Sequence, residues 1–185
     1  KILNQYFEAD VFSIRDQIDQ YRGRIDDLKH QKLFIYDNKR TVGDIRISLV
    51  ALRAQNMLPK VIFVDFLQNI YDEARTEYER ITNITMELQV LALEFKICVV
   101  ALSQVSNEGA KGMTGVIPFK GSGTIAATGD VCLQIIRDEK KIDSDIQDVD
   151  LEIYIVKNRH GRRGKIPFVL DTYTGVIRPN NIYLK

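Results

Sequence analysis

Three short stretches carry side chains that could do chemistry. In "VIFVD", residues 61–65, four apolar residues run into a single carboxylate, Asp65, and in "ICVVALSQ", residues 97–104, an apolar run ends on Ser103 and Gln104. In "KNRHGRRGK", residues 157–165, five basic side chains occupy nine positions with no acid among them. A lone carboxylate after a buried strand can face a magnesium ion on a nucleotide phosphate, or it can cap the turn that follows. Ligands of open α/β sheets collect outside the carboxyl ends of the strands, where Asp65, Ser103 and Gln104 would fall; a polar strand end can equally be solvated or bonded to a loop. The basic stretch suits phosphate oxygens, and its bland alternative is a solvated hairpin tip.

These residues need a scaffold, and hydrophobic spacing predicts one. Val11, Ile14, Ile18, Tyr21, Ile25 and Leu28 recur at three and four, which predicts a helix. "KLFIYD" predicts a short strand, and Thr41 with Asp44 predicts the capped start of a helix that turns Val42, Ile45, Leu49 and Leu52 inward. "VIFVDFLQNI" reads as one continuous strand buried on both faces, as in parallel sheets. A long helix with Ile81, Ile84, Leu88, Leu91 and Phe95 inward leads into the strand at residues 97–104. Alternating strands and helices predict an α/β fold with a mostly parallel sheet flanked by helices.

The character changes after Gln104. Residues 108–123, "EGAKGMTGVIPFKGSG", hold five glycines and a proline, which predicts a long mobile loop of functional rather than packing value. "VCLQII", "VDLEIYIV" and "KIPFVLDTYTGVI" predict three strands and a β-rich C-terminal end, with "RHGRRG" as a hairpin tip.

Composition bounds the function. The 185 residues carry 26 Lys plus Arg against 25 Asp plus Glu and are 45% hydrophobic, which suits one domain whose charge is patterned rather than uniformly basic. Cys98 and Cys132 each sit in an apolar run, without metal or disulfide-framework spacing, and read as reduced core residues. His30 and His160 lack a second ligand at metal spacing and read as surface residues. No apolar run approaches the roughly 20 residues that span a bilayer and no signal-peptide pattern appears, so a cytoplasmic protein without membrane contact is expected. The chain opens on Lys1 and enters directly on residues suited to a domain interior, which reads as a piece of a longer protein.

Taken in order, "VIFVDFLQNI", "LQVLALEFKICVVALSQVSN", "KGSGTIAATGD" and "IYIVKNRHGRRGK" resemble the ATPase domain of the hexameric replicative DNA helicases, the DnaB-like family, over residues 41–178. The resemblance implies a RecA-like fold, ATP and magnesium, hydrolysis at subunit interfaces of a homo-oligomeric ring, expected as a hexamer, and single-stranded DNA threaded through it. Primase and a helicase loader are further implied partners. By the same resemblance Asp65 matches the magnesium-site aspartate, acting through water, and Gln104 the glutamine that senses the γ-phosphate. Lys157 and Arg159 match the pair reaching a neighbour's ATP. Lys120, Gly121 and Gly123 align with the DNA-gripping segment, whose usual pattern is Arg-Glu-Ser-Gly; Ser122 and Gly123 keep it, while Gly121 stands where the acid is usual. Ala126, Ala127 and Thr128 also depart from the family's Glu, Gln and acid, although Asp130 remains.

A larger departure concerns the phosphates. No G-x-x-x-x-G-K-[ST] loop occurs in the 185 residues, and "GRRGK" has the wrong spacing and is followed by Ile166. Residues 1–185 are therefore expected to form a partial RecA-like domain that is inactive alone and part of an ATP-dependent helicase when complete. Two alternatives stand beside this reading: a RecA-like recombination or regulatory ATPase, and a DNA-binding or loading module without a phosphate loop. Continuation of the strand through residue 159 would set Lys157 and Arg159 on one side, about 6–7 Å apart along it.

Overall fold

Apolar residues spaced by three and four build helices from the start, in the computed structural model that describes residues 11–29, 32–104, 123–137 and 147–180. The single helix expected at the beginning is two, α1 (Val11–Asp16) and α2 (Ile18–Lys29), with Gln17 in a turn between them. Ile14 is buried, but Phe12 is exposed. Residues 32–36 carry no strand, against expectation, and Leu33, Phe34, Ile35 and Tyr36 are exposed. A strand needs a ladder partner, and no described strand pairs with this run.

The chain resolves into two compact units, residues 36–132 and residues 1–35 with 133–185. The first unit begins with α3 (Val42–Ala54), capped as the sequence predicts. Thr41 Oγ1 accepts from the Asp44 N–H at 3.0 Å, and Asp44 Oδ2 accepts from the Thr41 N–H at 3.0 Å and the Arg40 N–H at 3.1 Å. These donors, the Arg40 amide foremost, hold the Asp44 carboxyl below the usual aspartate range. Strand β1 (Val61–Val64) follows, then a 3-10 turn at Leu67–Asn69, then α4 (Glu77–Phe95) and β2 (Cys98–Ala101). Thr76 caps α4 by accepting from the Glu79 N–H, and Glu77 and Glu79 suit the positive end of the helix. Lys96 ends the helix in a left-handed conformation, φ 54°.

All five residues of the predicted α4 stripe, Ile81, Ile84, Leu88, Leu91 and Phe95, are buried. They pack in one core with Val42 and Leu49 of α3, Val64 of β1 and Leu67 and Ile70 of the connecting segment, and Ile62 and Val99 lean on it. β1 and β2 pair in parallel, Val61 opposite Cys98 through Val64 opposite Ala101. The expectation of burial on both faces fails here: Val61 is 42% and Phe63 72% exposed. Side chains alternate across a strand, so helices covering Ile62 and Val64 leave Val61 and Phe63 on the other face. Cys98, opposite Val61, shares that face and is exposed, which corrects its reading as a core residue; Cys132 is buried, as expected. The run expected as one long strand stops at Val64, where the chain enters the 3-10 turn.

Helix α5 (Gly123–Thr128) joins the first core through Ile125 and precedes β3 (Val131–Arg137). β4 (Asp148–Asn158), β5 (Gly164–Asp171) and β6 (Ile177–Pro179) complete a sheet of order β3-β4-β5-β6. β4 and β5 form an antiparallel hairpin from Asp148 opposite Asp171 to Ile155 opposite Gly164, so the β-rich end and its basic tip are present as predicted. The stretch expected as a final single strand is two, because a turn intervenes. Asp171 Oδ1 accepts from the Tyr173 N–H at 2.9 Å and the Thr174 N–H at 3.0 Å, and Gly175 takes φ 75°, which only glycine adopts without strain. The expected glycine-rich loop at 108–123 lies outside the described residues up to its last member, and so does His30; His160 is exposed. Among the described residues no helix is long and apolar enough to cross a membrane.

Replacing Leu91 by alanine should cost about 2–5 kcal/mol in denaturant unfolding, as expected for a fully enclosed leucine, whereas Leu93→Ala on the exposed side of the same helix should stay within about 0.5 kcal/mol. Equal losses would remove α4 from the core. Asp171 gives a second expectation. The Thr174 amide first, then Gln147 and the Tyr173 amide, hold its carboxyl below the usual range. A depressed folded value stabilises above the unfolded pKa, about 3.9, and that stabilisation is lost as pH falls through the folded value. Urea unfolding between pH 5 and pH 2 should therefore show an acid-side loss that Asp171→Asn flattens.

Candidate functional site

The parallel register decides what meets at the sheet's carboxyl edge. β1 and β2 end opposite each other at Val64 and Ala101, so Asp65 and the segment Leu102–Gln104 leave the sheet together. The ladder runs on past the strands: the Leu102 N–H donates to the Val64 carbonyl at 2.9 Å, and the Leu67 N–H donates to the Leu102 carbonyl at 2.8 Å. Asp65 and Gln104 are exposed and Ser103 is half-buried, and the peptide joining Asp65 to Phe66 is cis.

A residue that the sequence reading left without a role ties this edge together. Gln68 Nε2 donates to Ser103 Oγ at 3.0 Å, and Gln68 Oε1 accepts from the Gln104 N–H at 3.3 Å. The backbone of Gln68 is itself braced, since Arg80 of α4 donates to the Gln68 carbonyl at 3.0 Å and to the Ile70 carbonyl at 2.7 Å. Asp65 stood out as a lone charge in an apolar run; a neutral amide three residues later does not. The signal that could have found Gln68 is its position in the turn leaving β1, within reach of the neighbouring strand's end.

Among the described residues no three His, Cys, Asp or Glu side chains gather into a cage for a metal. One exposed carboxylate at a strand end fits magnesium nonetheless, because that ion keeps most of its water and is held by one or two carboxylates together with substrate phosphates. Asp65 is the residue that would face it.

The other predicted residues belong to other elements. Lys157 is half-buried within β4, an even number of residues from the buried Val149 and Leu151 and so on their side of the strand. β4 ends at Asn158, however, so Arg159 does not continue the strand, and the expectation of two side chains on one side at strand spacing is corrected. The bend has a local cause. Asn158 Oδ1 accepts from the His160 N–H at 3.3 Å, and its Nδ2 donates to the Arg162 carbonyl at 3.3 Å, bonds that compete with the ladder. A Cβ on Gly161 would lie 2.5 Å from Asn158 Nδ2, so any larger residue there must displace the Asn158 carboxamide. Arg159, Arg162 and Arg163 are exposed at this tip. Lys165 is drawn away to Glu152, 2.5 Å from its carboxylate, and this ammonium, followed by the Tyr154 hydroxyl, keeps the Glu152 carboxyl below its usual range. Gly123 is the exposed first residue of α5, with open space where a side chain would stand; Thr124 beside it meets Thr82 of α4 at 3.3 Å between hydroxyls. Lys120, Gly121 and Ser122 lie outside the described residues.

A family described as the DnaB-like helicase C-terminal domain matches residues 2–175. The replicative DNA helicase DnaB of Helicobacter pylori is 28% identical over an alignment that takes in 82% of this chain and 36% of that protein. With 40% of the Rickettsia felis counterpart covered, the chain spans well under half the length of these curated relatives. Among solved structures, a DnaB-like replicative helicase described with its interactions with primase superposes with a TM-score of 0.81 at 18% identity, over 95% of this chain and 46% of that one. A KaiC-like protein from Pyrococcus horikoshii gives 0.57 at 13% identity, over 93% and 71%. At these identities the superpositions speak for the fold, which is RecA-like α/β.

The hairpin tip can be checked by amide hydrogen exchange. Asn158→Ala and Gly161→Ala should each speed exchange at the His160 amide by about tenfold, since the first removes the Asn158 acceptor and the second displaces it, while unfolding free energy moves by less than about 1 kcal/mol. Unchanged exchange at His160 in both variants would show that another contact shapes the tip.

Proposed function

The chain belongs to the DnaB-like helicase C-terminal domain family, and from that premise we propose that it forms part of an ATP-driven ring motor that moves along single-stranded DNA and unwinds duplex. One observation supports the reading above the others: Asp65 and Gln104 follow the carboxyl ends of two hydrogen-bonded parallel strands, where an open α/β sheet receives its ligand. The KaiC-like superposition is weaker than the helicase one, so a regulatory ATPase of that fold has no comparable support.

In this reading Asp65 holds magnesium through water beside the phosphates of ATP, and Gln104 reports on the γ-phosphate. Bound magnesium supplies neutralisation of phosphate charge. Lys157 and Arg159 reach the nucleotide of a neighbouring subunit in a homo-oligomer, expected as a hexamer, and Arg159 stabilises charge as the γ-phosphoryl leaves. Lys120, Gly121 and Gly123 meet the DNA backbone, where a lysine and backbone amides bind without regard to base. A primase and a helicase loader would be its protein partners and the cytoplasm its compartment. No phosphate-binding loop of the usual spacing lies in the 185 residues, so that cradle comes from outside them. The uncovered apolar face bearing Phe63 agrees with such a completion, because parallel strands are ordinarily buried on both faces.

Two measurements test this. The 185-residue chain alone should show no ATPase above background, with or without single-stranded DNA, since backbone amides of a phosphate loop supply most contacts to the β- and γ-phosphates. In the complete protein, Arg159→Ala should lower ATPase by about 10³-fold or more with ATP binding nearly unchanged, and Arg162→Ala should do far less. Mixing Arg159→Ala subunits with subunits defective in the phosphate loop should restore hydrolysis at mixed interfaces. Absence of recovery in rings shown to assemble would overturn action between subunits.

A further inference from the structure

We propose that Gln68 is the positioning residue of the Gln104 segment, its carboxamide fixing where the end of β2 stands relative to the end of β1. The idea rests on the functional reading above for its consequence in catalysis, but its geometry stands on its own.

Consider what holds residues 102–104. Leu102 is tied to β1 by main-chain bonds, to Val64 and from Leu67. Beyond Leu102 no main-chain bond to β1 is present among the described residues, and the links that remain are the two made by the Gln68 side chain. They run in opposite senses: the amide NH₂ gives to Ser103 Oγ and the amide oxygen receives from the Gln104 N–H. An uncharged carboxamide donates and accepts at once from two separate atoms, so the segment is fixed at two points. Ser103 Oγ also reaches the Gln104 carbonyl at 3.4 Å, which extends the contact along the segment.

Gln68 can act as a fixed point because its own main chain is held. Arg80 binds the carbonyls of Gln68 and Ile70, and Leu67 and Ile70 on either side are buried in the core. The path is therefore core helix α4, Arg80, Gln68, then Gln104. A group that must read the presence of one phosphate needs its backbone placed within a fraction of an ångström, and a loose segment would lose rate without losing nucleotide affinity. Neutrality also matters here, since a second carboxylate beside Asp65 would change the charge that nucleotide phosphates meet, and an amide adds none.

The test uses the complete protein and reads two things. By hydrogen exchange, Gln68→Ala should speed the Gln104 amide about tenfold while the Leu102 amide, bonded to Val64, keeps its protection; Gln68→Glu, which retains the acceptor for Gln104 and lets the Ser103 hydroxyl turn to donate, should keep Gln104 protected. By steady-state kinetics, Gln68→Ala should lower kcat for ATP about tenfold with KM changed less than twofold. Acceleration of Leu102 and Gln104 together would mean general loosening and would overturn the proposal, as would unchanged exchange at Gln104 or a loss seen only in KM. If the complete protein shows no ATPase in any variant, the functional reading falls and the exchange result alone judges the positioning role.

Discussion

Burial of one stripe of α4 against the inner side of β1 and β2 is the interaction on which the carboxyl edge depends. Each of its five side chains, from Ile81 to Phe95, removes apolar surface worth about 1.5–3 kcal/mol from water. The ion pairs of the same unit are on another scale. Arg46 meets Glu94 across α3 and α4, but both side chains are more than a third exposed, and such pairs contribute about 0–1 kcal/mol. Two parallel strands of four residues cannot hold their own register in water; α4 holds it for them. Once Val64 faces Ala101, the meeting of Asp65 with the Gln104 segment needs only the few hydrogen bonds that follow.

Much of this was legible because apolar spacing is a direct record of burial. The α4 stripe and the Thr41–Asp44 cap could be read residue by residue, since both depend on contacts made within about four positions along the chain. Strand ends were not legible. "VIFVDFLQNI" stays apolar past Val64 because Leu67 and Ile70 enter the same core from a 3-10 turn, and apolarity alone does not tell a strand from a turn that is equally buried. Cys98 misled for a related reason: its apolar neighbours mark both faces of β2, and only the packing reveals which face the helices cover. Arg159 fell beyond its strand because Asn158 bends the chain through two side-chain bonds that no periodicity announces.

The candidate site divides in the same way. Charges are conspicuous in sequence, so Asp65, Lys157 and Arg159 drew attention, whereas the groups that set their surroundings are neutral or serve the backbone. Gln68 and Asn158 are both amides whose donor and acceptor act on different partners. Arg80 is charged but spends its guanidinium on two carbonyls rather than on an acid. Side-chain to main-chain bonds of this kind leave no compositional trace, because their partner is present at every position.

The five basic residues that crowd the hairpin can now be separated by environment rather than by charge. Lys165 is committed to Glu152 across the β4–β5 ladder and lies over the Tyr154 ring, 5.9 Å from its centre, so its charge serves the hairpin itself. Lys157 sits near the end of β4, two residues beyond the last β4–β5 pair at Ile155 and Gly164, and Arg159 sits just past the strand's end, where Asn158 shapes the turn. Arg162 and Arg163 follow Gly161 on the return, with the Arg162 carbonyl held by the Asn158 amide. A cation that must meet a phosphate oxygen in one geometry benefits from a fixed backbone, because less freedom is lost on contact; a cation that only raises the local potential does not. Lys157 within β4 and Arg159 beside the Asn158 turn are the two cations whose proposed contact with a neighbour's nucleotide would gain from such fixing, whereas solubility or loose contact with a polyanion asks nothing of the kind from Arg162 and Arg163.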